Sequence, residues 1–161
     1  MDEARFGTHS KLGHGWFQKG VRTTIPVRLG FQNFYVYGAA NPQSGESFHL
    51  LLPRVCTKGM DIFLDHLSRL KPDKQLVVVM DGAGWHVSRR LIVPENIRIV
   101  YLPPYCPELN PVERLWQHIK KRTIRNRVYH GLSGLERDVC QTIKTLNANF
   151  VASICAVNWL N

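Results

Sequence analysis

The chain has 161 residues, of which 44% are apolar and 20% charged, and carries a formal net charge of +9. That length suits one ordinary domain with a sizeable core, and the composition is that of a soluble globular protein. No apolar run approaches the length of a bilayer span, since Leu76 to Met80 is only strand-sized. The charged start Met1-Asp2-Glu3-Ala4-Arg5 is not a signal peptide. Cys56, Cys106, Cys140 and Cys155 form no CxxC pair, which argues against a structural zinc site or a disulfide framework and for thiols in a reducing cytoplasm. The positive excess calls for an anionic partner. Nucleic acid is the commonest, because each neutralised phosphate releases a condensed counterion.

In chain order, the Gly-, His- and Lys-rich stretch 7–23 reads as loop, with a short strand near Trp16-Phe17 and another over Thr23 to Leu29, broken by Pro26. Phe31 to Ala39 is a strand rich in aromatic and β-branched residues. Asn41-Pro42-Gln43-Ser44-Gly45 turns it into a return strand over Glu46 to Leu52. Lys58 to Leu70 is an amphipathic helix, since Met60, Phe63, Leu64, Leu67 and Leu70 step by three and four. Gln75 to Met80 is a strand with apolar residues on both faces, as at the centre of a covered sheet. Residues 86–92 read as a short helix and Ile97 to Leu102 as a further strand. A long helix starts near Pro111, burying Val112, Leu115, Trp116 and Ile119, and another carries Leu135, Val139, Ile143 and Leu146. The last dozen residues read as helical too. The order predicts a mixed α/β sheet flanked by helices.

Three carboxylates invite attention, each with a plain alternative. Asp81 directly follows a buried strand, where open α/β sheets place ligands, yet Asp-Gly is also a turn signal. Glu113 lies three residues beyond Asn110, a good helix N-cap followed by Pro111 at the first helical position. That is the capping-box position, so structure alone accounts for it, and periodicity does not separate the two roles. Asp2 and Glu3 point to opposite faces if they lie on a strand, so only one can face a given site; the alternative is a solvated, charged terminus. What joins the three is chemistry. Mg²⁺ and Mn²⁺ take hard oxygen ligands and are often held by a few carboxylates with water and phosphate. Two such ions about 4 Å apart clamp the attacking and leaving oxygens of an in-line phosphoryl displacement. His86, five residues after Asp81, gives no functional signal alone, since a lone histidine is more often packed or exposed. Arg5, Lys19, Arg89, Arg90, Lys120 and Lys121 are candidate phosphate contacts, and Lys120 and Lys121 follow Glu113 by two helical turns; the alternative is a solvated basic face.

Three segments carry a resemblance to a known family. They are Asp2-Glu3-Ala4-Arg5-Phe6-Gly7 with Gly15-Trp16 and Lys19-Gly20; Val77-Val78-Val79-Met80-Asp81-Gly82-Ala83-Gly84-Trp85-His86; and Leu102-Pro103-Pro104-Tyr105-Cys106-Pro107-Glu108-Leu109-Asn110-Pro111-Val112-Glu113-Arg114-Leu115-Trp116. The third is the most specific. In order and spacing they resemble the DDE transposases of bacterial insertion sequences related to the mariner superfamily, over nearly the whole chain to about residue 146.

The resemblance implies a ribonuclease H-like fold. It implies Asp2 on the first strand, Asp81 at the end of the fourth and Glu113 on the helix after the fifth, together binding two Mg²⁺ or Mn²⁺ ions. It implies cleavage of double-stranded DNA at transposon ends by activated water, 3′-OH attack on target DNA at TA dinucleotides, and a homodimer on DNA in a bacterial cytoplasm, associated with the nucleoid. Family members usually carry an N-terminal helix-turn-helix region. This chain starts at the first catalytic aspartate, so it reads as one catalytic domain over 1–161, without that region and with its first strand truncated. Gly82 stands where relatives often have Asn. Two alternatives stand beside the transposase core: a ribonuclease H-like nuclease that only hydrolyses, and an inactive basic DNA-binding remnant.

Overall fold

A computed structural model describes residues 1–16, 18–21 and 24–160. Three strands, β1 (Asp2–Gly7), β2 (Asn33–Ala40) and β3 (Ser47–Leu52), form an antiparallel sheet in that order. Helix α1 (Thr57–Leu70) leads to β4 (Leu76–Met80) and β5 (Ile97–Tyr101), which pair in parallel. A 3₁₀ turn at Pro107–Leu109 precedes α2 (Val112–Thr123), α3 (Leu132–Lys144) and α4 (Ala148–Cys155), and a second closes at Asn158–Leu160. The predicted mixed sheet is hydrogen-bonded in two parts. The joint between them is the Met1 amino group, which donates to the Val79 carbonyl at 2.8 Å.

Side-chain alternation on β1 and β2 splits the interior in two. Ala4, Phe6, Phe34 and Val36 face one way, onto Val112, Leu115, Trp116 and Ile119 of α2, backed by Leu135 and Val139 of α3 and Val151 and Cys155 of α4. Tyr37 faces the other way, onto Met60, Phe63 and Leu64 of α1 and Val78, Met80 and Ile97 of the parallel pair. Each large aliphatic side chain buried in this way contributes on the order of 1.5–3 kcal/mol. These two layers hold β1 and β4 side by side, which sets the geometry of everything at their ends.

Helix α1 starts at Cys56, whose Sγ accepts from the Gly59 amide at 3.4 Å. Helix α2 starts at Val112, one residue later than predicted, with Pro111 in the cap position, and Asn110 Oδ1 accepts from the Val112 amide at 3.3 Å. The Asn110 side-chain amide also donates to the Met1 carbonyl at 3.0 Å, tying the start of α2 to the start of β1.

Three expectations are corrected. Residues 86–92 form successive turns rather than a helix. Gly82 and Gly84 are poor helix formers, and Asp81 Oδ1 accepts the Ala83 amide, diverting the backbone into a side-chain-capped turn. Strand β4 is not covered on both faces, because Val77 is 65% exposed while Val78 and Met80 are buried. Between β1 and β2, no strand forms among the described residues of either the Trp16 stretch or the Thr23 to Leu29 stretch. Phe17, Arg22 and Thr23 lie outside the described residues. This connection is instead clipped at its base. Gly13 exchanges hydrogen bonds with the Asn126 side chain, its N–H donating at 2.9 Å and its carbonyl accepting at 3.2 Å. The Asn126 amide in turn donates to the Lys11 carbonyl. Asn126 holds φ 55, a left-handed conformation that asparagine tolerates better than most residues.

No helix of the described residues is long and apolar enough to cross a membrane.

Candidate active site

A cleft of about 380 Å³ opens where β1, the end of β4, the segment after β5 and the start of α2 converge. Asp2, Asp81 and Glu113 all line it, with Gly82, Ala83 and the proline-rich run from Leu102 to Pro107 forming the remaining wall. Each carboxylate arrives by a different route. Asp2 is an inward position of β1, buried opposite Gly38 in the β1–β2 register. Asp81 is the first residue after β4, and its side chain is 56% exposed. Glu113 lies in the first turn of α2, half-buried. The capping-box bond back to Asn110 is not made, because the Asn110 amide goes to the Pro107 carbonyl instead. Glu113 is therefore free of its structural alternative and lines the cleft.

Two of the three carboxylates are held by one oxygen. Trp116 Nε1 donates to Asp2 Oδ2 at 2.8 Å in a buried contact. Asp81 Oδ1 accepts from the Ala83 amide at 3.1 Å and lies 2.6 Å from His86 Nδ1. Burial, then the Glu113 and Glu3 carboxylates, push the Asp2 carboxyl well above the usual carboxylate range. Negative charge is thus crowded in this cleft, only partly offset by the Met1 ammonium.

Sequence reasoning passed over two neighbours of the site. Glu3 and Asp2 point to opposite faces of β1, as their adjacency predicts, and Glu3 reaches Asp81 from behind. Glu3 Oε1 lies 2.8 Å from His86 Nε2, and both side chains are buried. Burial opposes a charged imidazole, but the Glu3 carboxylate and then Asp81 outweigh it, so the His86 pKa is raised. The five-residue spacing from Asp81 to His86 was the available signal, but Glu3 lies 83 positions away from His86 and nothing local connects them.

The basic candidates do not line the cleft. Arg5, Lys19, Arg89, Arg90 and Lys121 are exposed. Lys120 is half-buried, with Nζ 5.7 Å from the Phe6 ring centroid. Burial and Lys11 lower its pKa, while Glu113 and Asp2 oppose that shift, so Lys120 lies within the electrostatic reach of the cleft.

Donor chemistry suits a hard divalent cation, although no three His, Cys, Asp or Glu side chains among the described residues stand ready as a metal cage. Mg²⁺ seldom uses an all-protein cage; one or two carboxylates complete its shell with water and substrate phosphate. An open, carboxylate-lined cleft with crowded negative charge fits that mode.

Comparison with known proteins places the chain. A family model described as DDE superfamily endonuclease matches residues 1–136. The uncharacterized protein y4pE/y4sA of Sinorhizobium fredii is 37% identical over 107 residues, covering 66% of this chain and 79% of the relative. An uncharacterized 39 kDa protein of insertion element IS630 from Shigella sonnei is 26% identical over 154 residues, covering 91% of this chain and 44% of the relative. Among solved structures, a pre-cleavage Mos1 transpososome superposes with a TM-score of 0.74 at 13% identity, over 95% of this chain and 50% of that one. The Mos1 mariner paired-end complex with Mn gives 0.72 at 15% identity, over 96% of this chain and 50% of that one. The chain thus spans about half the length of those transposase chains, and the likeness fixes its fold as ribonuclease H-like. The chain belongs to the DDE superfamily of endonucleases.

Proposed function

We propose that this chain is the catalytic core of a transposase, cutting DNA phosphodiesters and joining the freed 3′ end to target DNA, with Asp2, Asp81 and Glu113 as metal-binding carboxylates. The observation that carries this is their convergence on one cleft from β1, the end of β4 and the start of α2. Divalent cations held there, two Mg²⁺ or Mn²⁺ in this reading, supply water activation and neutralise charge in the in-line displacement. The Mos1 neighbours include complexes with Mn and with Mg, and one with left transposon end DNA.

The chain's own residues supply position. Trp116 holds Asp2 Oδ2, and Asp2 lines the cleft. The Ala83 amide and His86 hold Asp81 Oδ1, leaving Oδ2. Glu113 is carried on a helix whose start is fixed by Asn110. In the first step a water gives up a proton as its oxygen bonds to phosphorus, the P–O3′ bond breaks, and the departing 3′-oxygen takes up a proton. In the second, that 3′-hydroxyl loses its proton as its oxygen bonds to a target phosphorus, and the displaced target 3′-oxygen takes up a proton. No covalent protein–DNA intermediate is required. Arg5, Lys19, Arg89, Arg90, Lys120 and Lys121 are the proposed backbone contacts to double-stranded DNA, and a dimer on DNA is the proposed working form.

The test is Mn²⁺-dependent nicking and strand transfer on a short duplex with a pre-cut 3′ end, comparing the parent with Asp81→Ala and Glu113→Ala. Joined product that disappears in both variants supports the reading. Nicking without joining favours a purely hydrolytic nuclease. Nicking and joining that survive both substitutions sink the carboxylate assignment.

A further inference from the structure

The Asp81 carboxylate sits at the open end of β4, more than half exposed, yet one of its oxygens is fully engaged. Oδ1 accepts the Ala83 amide at 3.1 Å and lies 2.6 Å from His86 Nδ1. His86 is itself gripped from three sides. Its Nε2 lies 2.8 Å from Glu3 Oε1, its amide donates to the Ala83 carbonyl at 2.8 Å, and its carbonyl accepts from the Tyr101 hydroxyl at 2.8 Å. The His86 side chain is 0% exposed and that of Glu3 only 5%. A buried carboxylate and a buried imidazole are costly unless each finds a partner, and here each partners the other. Both ring nitrogens face acceptors, so the imidazole has one productive orientation. The result is a line of side chains from the rear face of β1, through the interior, to the front of β4.

We propose that Glu3 and His86 are positioning residues: Glu3 fixes the His86 ring, and His86 fixes Asp81 Oδ1, so that Oδ2 is presented to a divalent cation. This rests on the reading of Asp81 as a metal-binding carboxylate. The geometry separates the two bonds of the imidazole. Asparagine at 86 places an amide near the position of Nδ1, so it retains the bond to Asp81 and loses the one to Glu3. Glutamine places an amide near Nε2, so it retains the bond to Glu3 and loses the one to Asp81. A merely structural histidine does not distinguish them in this order.

The experiment measures Mn²⁺ binding by electron paramagnetic resonance of the free ion, with thermal unfolding of every variant alongside. The set is the parent chain, Asp81→Ala, His86→Asn, His86→Gln, Glu3→Gln and Glu3→Ala. The expected result is near-parental affinity in His86→Asn and Glu3→Gln, and affinity weakened about tenfold or more in His86→Gln and Glu3→Ala, as for other residues that orient a metal ligand. Asp81→Ala should lose binding. Equal affinity in His86→Asn and His86→Gln, with Asp81→Ala still inactive in binding, overturns the positioning role and leaves the carboxylate site standing. Unchanged binding in Asp81→Ala, or no binding by the parent, overturns the carboxylate site itself.

Discussion

Trp116 and Asp2 are separated by 114 positions in sequence and joined by one buried hydrogen bond of 2.8 Å from the indole N–H to Oδ2. Trp116 is 1% exposed and belongs to the stripe of α2 that packs on β1 and β2. The same side chain therefore fills the core and orients a carboxylate of the cleft. Trp116→Phe keeps most of the apolar bulk and deletes the donor. The expected outcome is a folded protein, weaker by about 1–3 kcal/mol from lost packing and an unpaired oxygen. The Mn²⁺ concentration needed for half-maximal nicking should rise beyond what that stability loss explains. A Mn²⁺ titration at a temperature where the variant remains folded checks this.

Gly38 faces Asp2 across the β1–β2 register. A Cβ at this position would lie 2.4 Å from Trp116 Cη2 and 2.9 Å from His49 Nδ1. The absence of a side chain is what admits the indole. Gly38→Ala should push Trp116 away from Asp2 and cost about 1–3 kcal/mol, the usual range for overpacking. Denaturant unfolding gives the first number and Mn²⁺ binding the second. Unchanged values in both refute the account.

His49 packs edge-on against Trp116 with ring centroids 5.8 Å apart, and neither of its shielded ring nitrogens has a hydrogen-bond partner. Burial lowers its pKa to about 4, from a usual 6.5. The unfolded chain thus binds more protons than the folded one between those values. The stability contributed by neutral His49 is complete above pH 6.5 and is lost as pH falls toward 4, costing about 2 kcal/mol by pH 5. Comparison of unfolding free energies at pH 7 and pH 5 should show this loss in the parent. In His49→Leu the pH dependence should be shallower by that amount.

Tyr105 is fully exposed at the rim of the cleft and holds φ 60, a left-handed conformation that costs a tyrosine on the order of 1 kcal/mol. Asparagine adopts that conformation more readily. Tyr105→Asn should leave stability unchanged or slightly raised, while weakening duplex cleavage if the ring contacts DNA bases, since base–aromatic stacking is worth about 1–3 kcal/mol. Unfolding and cleavage measured on one preparation decide it. Unchanged cleavage removes the ring from the DNA contact.

Periodicity was enough to read β2, β3, α1, β4 and β5, and the start of α2, to within one or two residues. The place of Asp81 at the end of β4 was legible too, since Val77-Val78-Val79-Met80 ends abruptly at Asp-Gly. Glu113 was not separable from a capping role until the Asn110 amide was seen to bond Pro107. The partners of the carboxylates were invisible for a different reason. Trp116 reads as core and His86 as a lone histidine, and both readings are correct as far as they go. Their polar atoms find Asp2, Asp81 and Glu3 only through tertiary packing, which no local pattern encodes. The exposure of Val77 escaped for the same reason: an apolar residue in a strand signals a buried face only where something covers it.

The residues that line the cleft include three carboxylates and, among those described, no lysine or arginine. Its proline-rich wall also offers few backbone N–H groups, since Pro103, Pro104 and Pro107 have none. A phosphate approaching this surface alone meets like charge and few donors. A cation arriving alone finds carboxylates for only part of its shell, completes it with water, and binds more weakly than it does beside a phosphate. Each ligand therefore creates the conditions the other needs, and linkage requires the effect to be mutual: DNA must tighten cation binding by the same factor that the cation tightens DNA binding. If the basic residues outside the cleft are the proposed duplex contacts, they set where the duplex lands, while the chemistry waits for both to be present. On the proposed reading, such a site is quiet on its own and acts fully only on a loaded complex, a useful property where the reaction breaks DNA.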